Sequence, residues 1–115
     1  MTQTQNPKKY DLEERTLLFA KKVKLFVKTF FEYTKQIIRS SASVGANYIE
    51  ANESMSKKDF VMRVKICRKE AKETIYWLNL IDVDKPTLEK EKGGLITEAT
   101  ELMMILGSIL KKVAV

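Results

Sequence analysis

Four stretches of this chain repeat their apolar residues at alternating spacings of four and three, a pattern that folds as packed helices and not as a sheet. The first seam is Leu12, Thr16, Phe19, Val23, Phe26 and Phe30; the second is Ile37, Ser41, Val44, Tyr48, Ala51 and Met55. The third is Phe60, Val64, Cys67, Ala71, Thr74, Leu78 and Ile81. The fourth is Leu95, Ala99, Leu102, Leu106, Ile109 and Val113, widened by Ile96, Met103 and Leu110. A chain of 115 residues makes one domain. Four seams in it predict an all-α fold, an antiparallel up-down four-helix bundle over residues 11–115. Residues 1–10 are polar, contain Pro7 and have no periodicity, so they are expected to form a flexible N-terminal arm.

Local signals place the helix ends. Asp11 offers an N-cap with Glu14 three residues on, which predicts a first helix from Leu12 to about Lys28. The junction KTFFEYTK, residues 28–35, has neither Gly nor Pro to enforce a turn. A tight turn is expected there; the alternative is one helix from Leu12 to Ser54, about 65 Å long, which would exchange helices between subunits. Ser56 can cap the third helix, with Asp59 in its first turn where the helix dipole favours a carboxylate. Pro86 ends the VDKP break that follows Asp82, and Thr87 can cap the fourth helix. Gly93-Gly94 either delays regular helix to Leu95 or kinks a helix that starts at Thr87.

The second segment, RSSASVGANYIEA at residues 39–51, is built from small and hydroxyl residues, so it is suited to close approach. Ser40, Ser43, Asn47, Glu50 and Ser54 form a polar stripe beside its apolar seam, without the long side chains of a solvated helix face. That stripe should pack on another helix or another subunit, and covering both stripes predicts self-association. Gly45 fits the same close approach. If the second and third helices turn near Met55-Ser56, residues at equal height have numbers summing to roughly 111, which puts Arg39 within a turn of Glu70 and Glu73.

Together with DLEERTLLFAKKV (11–23) and SKKDFVMRVKICRKEAKETIYWLNLI (56–81), this segment resembles the bacterial four-helix-bundle proteins encoded in intervening sequences of 23S ribosomal RNA genes. The three blocks keep the family's order, and the resemblance spans Asp11 to Val113. It implies an all-helical subunit that assembles into a ring-like homopentamer, without known enzymatic activity and with a role in binding RNA or other nucleic acid. A similar bundle is the nucleic-acid-binding accessory protein to the reverse transcriptase of diversity-generating retroelements. Arg39, Ser40, Asn47, Glu50 and Glu70 match polar positions of the family motif, and the resemblance assigns them to a structural polar network.

The net charge of +6 and a pI near 9.4 favour acidic partners: nucleic acid, an anionic membrane surface or an acidic protein. The charge concentrates between Ser56 and Thr74, where seven basic residues face three acidic ones. Lys58, Lys65, Lys69 and Lys72 recur at helical spacing, with Met62 and Tyr76 on the same line and Arg68 beside it. Such a stripe can follow a phosphate backbone, with Tyr76 stacking on a base; the ordinary alternative is a solvated lysine face. Repetition around a ring favours the polyanion.

Nothing in the chain points to catalysis. Histidine is absent, and the lone Cys67 occupies a core position, which makes it a structural thiol. No metal site, cofactor or enzymatic activity is therefore expected. The polar N-terminus, the single cysteine and the lack of an uninterrupted apolar run near 20 residues predict a cytoplasmic protein with no membrane partner. Two functions fit: a non-catalytic nucleic-acid-binding protein, or an interaction scaffold that docks a nucleic-acid enzyme such as a reverse transcriptase.

Overall fold

The computed structural model describes residues 7–28 and 33–114. Four helices make up this part of the chain: α1 (Pro7–Val27), α2 (Thr34–Asn52), α3 (Lys57–Leu80) and α4 (Pro86–Ala114). The described residues contain no strand, in keeping with the all-α expectation.

Both of the chain's prolines open helices. At the first helical position the missing N–H costs nothing, because that donor has no intrahelical partner, and the fixed φ already suits the helix. Pro7 therefore starts α1 five residues before Leu12, and Asp11 lies inside the helix instead of capping it. Residues 1–6 of the expected arm lie outside the described residues. Pro86 starts α4 in the same way, so Thr87 is internal and not a cap, and the helix runs unbroken through Gly93 and Gly94. Two glycines cost about 2 kcal/mol of propensity. Burial of Leu95 just beyond them helps to hold α4 together there. So does Lys92, whose Nζ donates to the Ile81 carbonyl at 2.8 Å, supplying a partner for an acceptor at the end of α3.

α1 and α2 are separate helices, as the tight-turn expectation had it; residues 29–32 between them, and with them Phe30 of the first seam, lie outside the described residues. Tyr33 enters α2 at φ 55°, in the left-handed region that non-glycine residues adopt only under constraint. At the other end of α2, Ser54 Oγ donates to the Glu50 carbonyl. Ser56 then caps α3 as predicted, its side chain accepting from the Asp59 N–H at 3.1 Å.

Neighbouring helices run antiparallel. Glu13 accepts from Asn52 at 2.6 Å while Thr16 sits against Gly45; Arg39 meets Glu70 while Asn47 meets Arg63; Lys92 reaches Ile81 while Arg68 lies beside Gly107. Each helix packs on its neighbours in sequence, and α1 closes the bundle against α4. The α1–α4 seam is the loosest. A groove of about 920 Å³ opens there, lined by Leu18, Phe19, Leu25, Phe26, Leu88 and Leu95 and bridged by Arg15, which donates to Glu98 and Glu101.

The predicted seams are the core. Leu12, Phe19, Val23, Ile37, Val44, Val64, Cys67, Ala71, Leu78, Leu102 and Leu106 are buried, and Thr16 and Thr74 are buried with them. Met55 departs from this: it falls after the last turn of α2 and is 97% exposed. In α4 the buried line continues to Leu110, with Ile109 only half-buried. By length and composition alone α4 could cross a bilayer, but its Leu95 to Leu110 seam is buried within the bundle.

Gly45 lies where α2 comes close to α1. A Cβ there would lie 3.0 Å from Thr16 Oγ1 and 3.3 Å from Thr16 Cβ, so α2 meets α1 across a position where any side chain would press on Thr16.

Candidate nucleic-acid interface

The charged surface of the bundle follows from the rotation of α3. Its seam turns Val64, Cys67, Ala71, Thr74 and Leu78 inward, which leaves Lys58, Lys65, Arg68, Lys69, Lys72 and Tyr76 on the outside, all exposed. Lys65, Arg68, Lys69 and Lys72 line one wall of a groove of about 460 Å³, and Met103 and Gly107 of α4 line the other. Arg68 reaches across toward Gly107, its Nη1 3.9 Å from the point where a Cβ would stand. Lys58, two turns earlier, is exposed outside the groove. Among the described residues none of these five cations is engaged in an ion pair, so their charge faces solvent.

Tyr76 ends the stripe, 60% exposed. Its ring makes a T-shaped contact with Trp77 at 5.4 Å and 75°, and Trp77 in turn stacks with Tyr33 at 5.6 Å and 30°. The Trp77 indole N–H donates to Glu73 at 3.0 Å. That bond, with Arg39 adding to it, holds the Glu73 carboxyl below the usual carboxylate range. Neither Tyr33 nor Trp77 stood out in the sequence. Trp77 adjoins Tyr76, but only the folded chain brings Tyr33, from the start of α2, against it.

The polar residues assigned to one network separate into three places. Arg39 meets Glu70 and Glu73, as the register predicted, and Ser40 lies beside them. Arg39 Nη1 donates to Glu70 at 3.2 Å and Nη2 to Glu73, while Thr74 Oγ1 donates to Ser40 Oγ at 2.7 Å. Burial disfavours the charge on Arg39, but Glu70 and Glu73 outweigh it and raise its pKa. Asn47 lies two turns away, accepting from Arg63 at 3.2 Å and donating to the Ser43 carbonyl. Glu50 is exposed, and its side chain makes no hydrogen bond among the described residues. Of the polar stripe of α2, Ser40 and Asn47 meet α3 of the same chain, whereas Glu50 stays exposed. The apolar stripe is covered by the core from Ile37 to Ala51.

Cys67 is fully buried and its thiol is pushed up to about 12 by burial, as suits a structural thiol. No group of histidine, cysteine and carboxylate side chains able to hold a metal occurs among the described residues.

No curated protein matches the chain. A crystal structure of a protein of unknown function from the S23 ribosomal protein family of Bacteroides thetaiotaomicron VPI-5482 is similar to it. The two share 32% identity with a TM-score of 0.77, over 87% of this chain and 98% of that one. The family pattern described as 23S rRNA-intervening sequence protein matches residues 8–108, covering all three sequence blocks and reaching into all four helices. On that match the chain belongs to the 23S rRNA-intervening sequence protein family.

Proposed function

We propose that this chain is a non-catalytic, cytoplasmic bundle protein that binds structured RNA or other nucleic acid through the basic face of α3, as a ring-like homopentamer. The observation that carries the reading is the convergence of Lys65, Arg68, Lys69 and Lys72 on one groove with no salt bridge to a carboxylate among the described residues. Counterion release from a phosphate backbone rewards unpaired cations of this kind. The family's name links its members to the intervening sequences of a ribosomal RNA, which agrees with an RNA ligand. Assembly finds support in α1, where Leu17, Leu18 and Leu25 are each more than half exposed.

A second reading, an interaction scaffold or accessory subunit for a nucleic-acid enzyme such as a reverse transcriptase, is favoured by the apolar α1–α4 groove. Filter binding over graded salt, with sedimentation equilibrium on the same samples, separates the two. The first reading expects Lys65→Glu with Lys69→Glu to weaken binding to all sequences alike and to flatten the salt dependence by about two units of slope, without altering assembly. Unchanged affinity and slope in that variant would leave the scaffold reading in front, and a stable monomer at micromolar concentration would remove the ring.

A further inference from the structure

We propose that Tyr76, held in place by Trp77 and Tyr33, is a stacking platform for an unpaired base, so that the ligand of the basic stripe includes a single-stranded segment. This rests on the nucleic-acid reading above and adds the form of the ligand. Three features carry it.

First, the platform continues the line of cations. Lys65, Lys69, Lys72 and Tyr76 follow one another on one face of α3, with steps of about 4.5–6 Å along the axis at 1.5 Å per residue. A backbone whose phosphates track the lysines brings its next base to the tyrosine.

Second, the ring is exposed and held in place. Tyr76 is 60% exposed, yet its edge-to-face contact with Trp77 restricts it. Trp77 is itself held by the stack with Tyr33 on one side and the hydrogen bond to Glu73 on the other. A ring fixed before binding loses little freedom when a base arrives.

Third, the nearest carboxylate does not repel a phosphate at full strength. Glu73 accepts from both Arg39 and Trp77, and the Lys69 charge also favours its ionised form, so its negative charge faces cations and a donor. Stacking is tolerant of base identity, so the platform selects single strand over duplex and not one sequence over another.

The test measures fluorescence anisotropy of a labelled oligouridylate and of a labelled RNA duplex, with wild type, Tyr76→Ala and Tyr76→Leu. Because Tyr76 is mostly exposed, both substitutions leave the buried seam intact, and Tyr76→Leu keeps apolar bulk against Trp77. The expected result is a loss of about 5- to 150-fold in affinity for the oligouridylate in both variants, with duplex affinity and both salt slopes retained. Tyr76→Phe should bind as wild type. Trp77 is the chain's one tryptophan, so its emission should also change when wild type binds oligouridylate and stay unchanged with duplex. If both variants hold oligouridylate as tightly as wild type while the Lys65 and Lys69 double variant loses it, the platform is refuted and the basic interface stands. If wild type binds neither RNA, both readings fall.

Discussion

Replacing Arg39 by Ala isolates the one polar contact that the helix register predicted and the structure contains. The guanidinium bridges Glu70 and Glu73, with side chains 47%, 9% and 31% exposed in that order. These exposures set the magnitude. A fully exposed pair is worth about 0–1 kcal/mol, whereas removing one partner of a buried pair costs about 3–5 kcal/mol because a charge is left without compensation. Glu70 is on the buried side of that range and the guanidinium is half in water, so Arg39→Ala should cost about 2 kcal/mol. Most of that cost is the stranded Glu70 carboxylate. Glu70→Gln in the Arg39→Ala background should therefore restore at least about 1 kcal/mol, since the amide needs no cation. The assay is a double-mutant cycle in urea followed by far-UV circular dichroism at fixed chain concentration and neutral pH, because self-association would make stability concentration-dependent. A loss under about 0.5 kcal/mol together with a coupling near zero would refute the reasoning, and would mean that the pair sets neither register nor stability.

The glycines should respond in opposite directions. Gly45→Ala gains about 1 kcal/mol of helix propensity but forces a methyl to within 3.0 Å of the buried Thr16, and overpacking of about 1–3 kcal/mol should make it a net loss; Gly93→Ala, with nothing within 4 Å, should stabilise by about 0.5–1 kcal/mol. Urea midpoints check both, and a stabilised Gly45→Ala would mean that α1 yields easily. Cys67 should resist thiol reagents in the native protein and react only on unfolding, because its thiol is raised from 9.0 to about 12 by burial. For an acid raised in the folded state, the associated stability is present below pH 9.0 and drains away as pH rises toward about 12. Rapid labelling of the folded chain at neutral pH would contradict this.

The basic stripe and the aromatic platform sit on one helix but depend on different neighbours. The lysines and Arg68 gain their groove from Gly107 and Met103 of α4, while Tyr76 gains its fixed orientation from Trp77 and, through it, from Tyr33 at the start of α2. The bundle thus places a charge track and a stacking surface on adjoining parts of one face. Phosphate contacts and base stacking are separable by salt dependence and strand preference, which is why the two proposals can fail independently.

The sequence by itself determined the helices, the faces they bury and one of their contacts. A period of four and three sets which side of a helix is apolar whatever it packs against, so Val23, Val44, Cys67 and Leu102 could be placed in a core before any partner was known. Ser56 as a cap was equally local, and the Arg39–Glu70 contact followed from the short turn between α2 and α3 alone. The starts of α1 and α4 were misjudged because Pro7 and Pro86 are breakers inside a helix and good first residues at its beginning, and the sequence pattern did not separate the two roles. Only the tertiary structure decided the rest. It carried α4 through Gly93-Gly94 by tying Lys92 to the end of α3, and it separated Asn47 and Glu50 from Arg39. It also buried Ser40 of the polar stripe against Thr74 and brought Tyr33 onto Trp77. Each of these depends on which helices lie side by side and at what rotation, and that is a property of the whole packed bundle that no single segment encodes.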